Sequence, residues 1–208
     1  MVRFTCPHLH PSPRALIKTQ ASLVIRPLYP LPLIASLGQP ITELPMPDPS
    51  PPIRPTDDQA RALARGLLRT ATTAALAFTN PESAAPAISL IGFGLDKQGK
   101  PTSLFSDLAV HTQALRPNPD CALLLSESGQ KGDPMASPRL SLTGRATFVA
   151  DNDAGLPDLR QSWLATHPKA RLYIGFADFH FVRFTISSAF LNGGFGRAFR
   201  LSSADLFS

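Results

Sequence analysis

Thr73-Ala74-Ala75-Leu76-Ala77-Phe78-Thr79-Asn80-Pro81-Glu82-Ser83 marks the point at which the chain turns from helical to extended period. A short apolar run ends there in a proline-bearing turn, and a second run, Ala87–Leu95, follows at once. Asp96-Lys97-Gln98-Gly99-Lys100 is another turn, and Thr102–Ser106 a third extended run. Links of a few residues favour antiparallel hairpins, because a parallel crossover needs about a dozen residues or more.

The pattern continues downstream. Ala109–Arg116 reads as a short helix ended by Pro117 and Pro119, and Asp120–Glu127 and Arg139–Ala150 as strands with Gly129–Ser137 as the loop between them. Pro157–His167 reads as a helix, with proline in its first turn and Pro168 just past its end. A last strand, Asp178–Ser188, precedes the closing run Asn192-Gly193-Gly194-Phe195-Gly196-Arg197. Five or six antiparallel strands with interposed helices predict a mainly β, α+β fold: a small closed or partly open barrel, with a ligand-free sandwich as the alternative.

Upstream of the strands, Thr56-Asp57-Asp58-Gln59 has the form of a capping box, Thr56 supplying the cap and Gln59 its reciprocal partner. Ala60, Leu63, Ala64, Leu67, Leu68 and Ala71 then recur at helical spacing, with Arg61, Arg65 and Arg69 on the opposite face. That arginine row suits either phosphates or plain solvent.

The first 55 residues are a different material. They hold 13 of the chain's 22 prolines, too many interruptions for long helices or central strands. Residues 1–55 are therefore expected to be a disordered extension with Met46 as a second possible start, a transit peptide being the alternative, and residues 56–208 the folded domain. Residues 1–45 also carry four basic residues (Arg3, Arg14, Lys18, Arg26) against one acid, Glu43. From Met46 onward 16 basic residues face 14 acidic ones, so the sequence pI of about 9.7 does not point to nucleic acid. No run of 18 apolar residues predicts a membrane span. Two cysteines, Cys6 in the extension and Cys121 in a strand, argue against a structural disulfide and favour the cytoplasm.

The stretch richest in chemistry is Leu104-Phe105-Ser106-Asp107-Leu108-Ala109-Val110-His111-Thr112. Ser106 ends a strand, and His111 and Thr112 fall at the start of a helix, where free amides and the helix dipole favour an anion. Beside a phosphate His111 would be protonated. The alternatives are that Ser106 or Asp107 merely caps the helix and that His111 is a surface residue. Three glycines within 193–196 permit positive φ and close approach to a ligand, with Phe195 beside a ring and Arg197 beside an anion, or else form a tight turn at a subunit seam.

No paired-ligand spacing for a metal, nucleophile elbow, P-loop or GxGxxG fingerprint occurs. His180, alternating with phenylalanines, is either a ligand to haem iron or an outer-face residue, and Lys131 either closes over a ligand or stands in solvent.

In their order, Ser89-Leu90, Ser106–Thr112, Lys131-Gly132-Asp133-Pro134, Pro138–Ala146, His167-Pro168-Lys169-Ala170, Asp178-Phe179 and Asn192–Ala198 resemble the pyridoxamine-5'-phosphate-oxidase-like flavoproteins, and most of all their haem-iron-utilisation branch. The resemblance covers about residues 57–200. It implies a split β-barrel that forms a homodimer and binds two FMN molecules in clefts between protomers. By position, Ser106, His111 and Thr112 resemble the residues that grip the FMN phosphate, and Ser89 and Leu90 match the strand lining the flavin. Arg139 falls where the oxidases have a cofactor-contacting glutamine; a subunit-interface ion pair is its other reading. Asn192 and Arg197 complete the expected cofactor set.

The implied activity is that of an FMN-dependent oxidoreductase acting on a small-molecule substrate, the flavin carrying the redox step and no acid-base residue being assigned. Oxidation of vitamin B6 itself is not expected: the oxidases proper have a longer arginine- and tryptophan-bearing end, whereas the single tryptophan here, Trp163, lies in a helix. The alternative from another class is a non-enzymatic module that binds haem or flavin in haem-iron utilisation.

Overall fold

The computed structural model describes residues 53–126, 133 and 136–207, all within the unit Pro47–Ser208. The expectations for residues 1–52 and for the Lys131-Gly132 turn lie outside them. Helix α1 (Asp58–Thr70) buries Ala60, Ala64, Leu67 and Leu68. Its cap is Asp57, whose carboxylate accepts from the Ala60 amide at 2.7 Å, and not Thr56. The Thr56 hydroxyl is drawn away to donate to the Arg200 carbonyl at 2.6 Å.

Among the described residues eight strands form one antiparallel sheet, more than the five or six expected. They are β1 (Thr73–Thr79), β2 (Pro86–Gly92), β3 (Gly94–Leu95), β4 (Pro101–Ser106), β5 (Asp120–Ser126), β6 (Arg139–Phe148), β7 (Phe179–Asn192) and β8 (Ala198–Ser202). Three short helical segments interrupt them: α2 (Val110–Leu115), α3 (Leu156–Thr166) and a 3-10 turn at Pro168–Leu172, while α4 (Ser203–Phe207) follows β8. The expected run Ala87–Leu95 is split at Phe93, whose amide leaves the ladder to donate to the Thr72 carbonyl at 2.8 Å.

That split closes the fold. The spatial order is β2-β1-β5-β6-β7-β4-β3, so β2 and β3, one residue apart in the chain, stand at opposite ends of the sheet. The sheet must curl until its two ends meet, and the Ser103 hydroxyl on β4 donates to the Gly92 carbonyl of β2 at 2.7 Å across the seam. Leu76, Leu123, Leu125, Leu140, Leu142, Val182 and Leu191 fill the interior with no exposed surface or almost none, each worth roughly 1.5–3 kcal/mol on burial.

Strand β7 is longer than the expected Asp178–Ser188 and is the spine of the barrel. It pairs with β6 through Val182–Asn192, with β4 through Phe179–Arg183, and with β8 through Ser188–Asn192. An extra residue, Ser187, bulges between the pairs Thr143↔Ser188 and Gly144↔Ile186. Only glycine fits at 144, since a Cβ there would lie 2.2 Å from the Thr185 carbonyl oxygen. The glycine run ending the expected sequence is the β7–β8 hairpin: Gly194 and Gly196 have φ of 106° and 65°, and the Gly193 amide donates to the Arg197 carbonyl at 2.7 Å.

Helix α3 covers the outside of β4 and the start of β7 through a second apolar cluster that includes Leu159, Trp163, Ile174 and Phe181. On the arginine face of α1, Arg61 and Arg65 are tied to α4 while Arg69 is exposed. Arg61 donates to Asp205 of α4 at 2.7 Å and to Asp58 at 2.8 Å, and Arg65 donates to the Asp205 carbonyl at 2.8 Å.

Candidate functional site: an apolar sheet face and the barrel end

Alternation on a strand sends successive side chains to opposite faces, and the register shows what the outer face carries. One row runs Leu90, Ala75, Leu124, Ser141, Phe190 and Arg200 from β2 to β8. The next runs Ile88, Ala77, Ala122, Thr143 and Ser188. Ile88 and Leu90 are 75% and 77% exposed, and Leu124 and Phe190 are 40% and 36% exposed. Exposed apolar side chains gathered on a sheet face, here interrupted by Ser141, Thr143 and Ser188, make this face the candidate binding surface.

The expected cofactor residues fall into two groups with respect to this face. Leu90 lies in it, whereas Ser89 points to the other side, paired with buried Leu76. Arg139, at the start of β6, is the cross-strand partner of Asn192, and Arg197 closes the adjoining hairpin. The Asn192 carboxamide accepts from the Gly194 amide at 3.1 Å and so holds the turn.

Ser106, His111 and Thr112 belong to the opposite end of the barrel. There the His111 ring stands edge-on to Phe105 at 4.5 Å, and Phe105 meets Phe148, the far end of β6, at 6.5 Å. Ten residues of strand, about 30 Å, separate the two groups within one chain.

At this end the three expected phosphate ligands do different things. The Ser106 hydroxyl donates to Asp178 at 2.8 Å and accepts from the Leu108 amide at 3.2 Å, as a turn-forming residue does. Thr112 is fully buried, and among the described residues its hydroxyl has no hydrogen-bond partner. His111 is half-buried between Phe105 and Phe78, and that burial pushes its pKa down. Asp107 caps nothing. It binds the Arg116 guanidinium and His180 Nε2, the latter at 3.0 Å, and Arg116 first and His180 second hold its carboxyl below the ordinary range.

His180 is therefore not an outer-face residue. It shares a side of the sheet with its cross-strand partner Phe105 and lies 4.0 Å from Asp151 on its other nitrogen. Among the described residues no cluster of three or more His, Cys, Asp or Glu can hold a metal ion. Cys121 is a free thiol, pushed up to about 11 by burial and by neighbouring Asp120. No helix among the described residues is long and apolar enough to cross a membrane. The alternation of Ile88 and Leu90, both apolar and both exposed, was the signal in the sequence for this apolar outer face.

An antiparallel sheet curled on itself, helices at its end and flank, and one uncovered outer face define a split β-barrel protein. The family model described as CREG, beta-barrel matches residues 55–208, and the chain belongs to that family. The likeness to the haem-utilisation branch, noted from motif order, is borne out by the relatives.

The chain is 34% identical over 118 residues to the non-canonical heme oxygenase HOZ, chloroplastic, of Arabidopsis thaliana, a match covering 52% of this chain and 35% of that protein. It thus spans about a third of that relative's length. A haem-binding protein from Mycobacterium smegmatis superposes with a TM-score of 0.64 at 26% identity, over 74% of this chain and 61% of that one. A general stress protein 26-related protein of the pyridoxinephosphate oxidase family from Clostridium acetobutylicum shares the fold, with a TM-score of 0.56 at 15% identity over 73% of this chain and 100% of its own.

Proposed function

We propose that this chain is a haem-binding split barrel that works as a homodimer, taking haem against its outer sheet face. The observation that carries the reading is the face itself: an apolar field of Ile88, Leu90, Leu124 and Phe190, with Arg200 beside Phe190 and Arg139 at the strand end. Haem is a flat apolar macrocycle with two carboxylates at one edge, and an apolar wall bordered by guanidinium groups suits both parts. Haem when bound supplies an iron centre for redox and oxygen chemistry. The chain's own residues supply the wall, the cations and the exclusion of water.

A second copy is the natural cover for the rest of the face. The Arg139-Asn192 end and the His111 end of one barrel lie a strand length apart. A two-fold partner laid across the sheet brings the one end of one protomer to the other end of its mate, and such self-complementary pairing is the commonest oligomeric arrangement. The relatives support the ligand: one is called a heme oxygenase and another a haem-binding protein.

FMN is the second reading, favoured by the buried, unpartnered Thr112 hydroxyl, a donor still free for a phosphate. The Asp178 carboxylate on Ser106 weighs against it, since it sets a negative charge where the dianion would sit. An FMN enzyme would act on a small substrate at the same seam.

The test is titration of the full chain with ferric haem and, separately, with FMN, followed by absorbance and sedimentation. A saturable haem Soret band on a dimer is the expected result. Saturable FMN binding without haem uptake would overturn the haem reading in favour of the flavin, and binding of neither would remove both.

A further inference from the structure

We propose that a cleft between α1, the β3–β4 turn and α4 is a separate ligand site, built for a small aromatic carboxylate. It shares no residue with the apolar rows of the outer sheet face, and the two sites are independent. The cleft has a volume of about 280 Å³ and is walled by Leu68 of α1, Leu95 of β3, and Leu206 and Phe207 of α4. Sites for drug-sized molecules run from roughly 300 to 1,000 Å³. This one suits a compact ring system laid against leucine and phenylalanine.

Charge selects the rest of the ligand. Arg65 and Arg69, neighbours on one side of α1, line the cleft, and no acidic residue does. Arg65 donates to the Asp205 carbonyl at 2.8 Å, which sets its guanidinium against α4. The Asp205 carboxylate is itself turned to Ser202 and Arg61. Arg69 is exposed and, among the described residues, has neither a hydrogen bond nor an ion pair. A guanidinium is a planar fork that meets a carboxylate through two parallel bonds, so Arg69 is the group that receives the anion.

A smaller cavity of about 200 Å³ also has Phe207 in its wall, with Lys100 and Arg183. Lys100 Nζ lies 4.6 Å from the centre of the Phe207 ring, and Arg183 donates to Asp153 at 2.9 Å. Phe207 is thus common to two pockets whose linings carry four cationic side chains and no acid. A positive field over an apolar floor favours an anion that carries a ring over a bare inorganic ion.

The experiment titrates the full chain with 2-naphthoate, with neutral 2-naphthamide and with inorganic phosphate, following backbone amide shifts by NMR. The expected result is saturable binding of naphthoate, with the shifts gathered on Leu68, Arg69, Gly99 and Phe207. Naphthamide binds roughly tenfold more weakly, and phosphate does not saturate the site. Arg69→Gln lowers naphthoate affinity by roughly tenfold and leaves that of naphthamide unchanged, while Arg69→Lys restores part of the loss. Arg69 stands in solvent, so these variants keep the fold. Phe207→Leu, which keeps an apolar wall without the ring, weakens both aromatic ligands.

Equal naphthoate affinity in wild type and Arg69→Gln overturns the assignment and leaves Arg69 as a cation that serves only the carbonyl end of its helix. Shifts gathered on other residues, or no saturable naphthoate binding, overturn the site. Phosphate binding as tight as that of naphthoate overturns the ligand class.

Discussion

Thr112 is the residue whose environment is least explained by folding alone. A hydroxyl buried without a partner forfeits its bonds to water, and replacing such a group by an apolar one of the same shape is neutral or stabilising. Thr112→Val should therefore melt at the same temperature as wild type or be more stable by up to about 1 kcal/mol in a denaturant titration. If the hydroxyl anchors the FMN phosphate, the same variant loses affinity for FMN and keeps its affinity for riboflavin. Equal affinities of wild type and variant for FMN would place the phosphate elsewhere.

Sequence spacing brought Ser106, His111 and Thr112 together on paper as three ligands of one anion. It had no means of showing that Ser106 turns to Asp178, a residue 72 positions away, or that the phenylalanines of two strands close around His111. Local chemistry was legible; the partners came from distant parts of the chain.

The short helix α4 illustrates how an element of five residues is kept in place. Asp205 accepts from the Ser202 hydroxyl at 2.7 Å, from the Ser202 amide at 2.8 Å and from Arg61 Nε at 2.7 Å. The Ser202 hydroxyl first, and then Arg61, hold its carboxyl well below the ordinary carboxylate range. A depressed acid stabilises the native state at every pH above its unfolded value of about 4, and that contribution fades as pH falls from there toward its lower folded value. Asp205→Asn should therefore flatten the acid limb of the melting-temperature profile below about pH 4. It should also speed hydrogen exchange at residues 203–207 by roughly tenfold at neutral pH. An acid limb unchanged in the variant would show that the clamp does not hold the helix.

At this scale the hairpins β1–β2 and β3–β4 and the helices α1 and α3 were readable, because period and turn residues are local properties. Strand β8 and α4 were missed although Phe199 and Leu201 alternate inward directly after a glycine turn, the mark of a hairpin's second strand. The split of β2 from β3 at Phe93 was not readable, since only closure of the sheet demands it.

For the whole molecule, the decisive surface is the outer face of β2-β1-β5-β6-β7. Burying a leucine or phenylalanine there contributes about 1.5–3 kcal/mol, and each 1.4 kcal/mol is about a tenfold change in a dissociation constant. If the proposed dimer forms through this face, Leu90→Asp combined with Phe190→Asp should accordingly shift its sedimentation profile from dimer to monomer, and a wild type that sediments as a monomer would remove the pairing altogether. Neither side chain supports the core, so the melting temperature of the monomer should change little. A variant that stays dimeric would move the interface to another surface.

The threefold pairing of β7 has a further consequence, in biosynthesis. The strand that joins β4, β6 and β8 follows both β4 and β6 in the chain. As the polypeptide leaves the ribosome at about 5–20 residues per second, β4 and β6 are completed with bare edges and must wait for residues 179–192 to be synthesised. Bare strand edges invite pairing with other chains. Nascent chains stalled before residue 179 should therefore bind chaperones and yield to protease, and release of the hairpin Asn192–Ala198 into solvent is the moment at which protection begins.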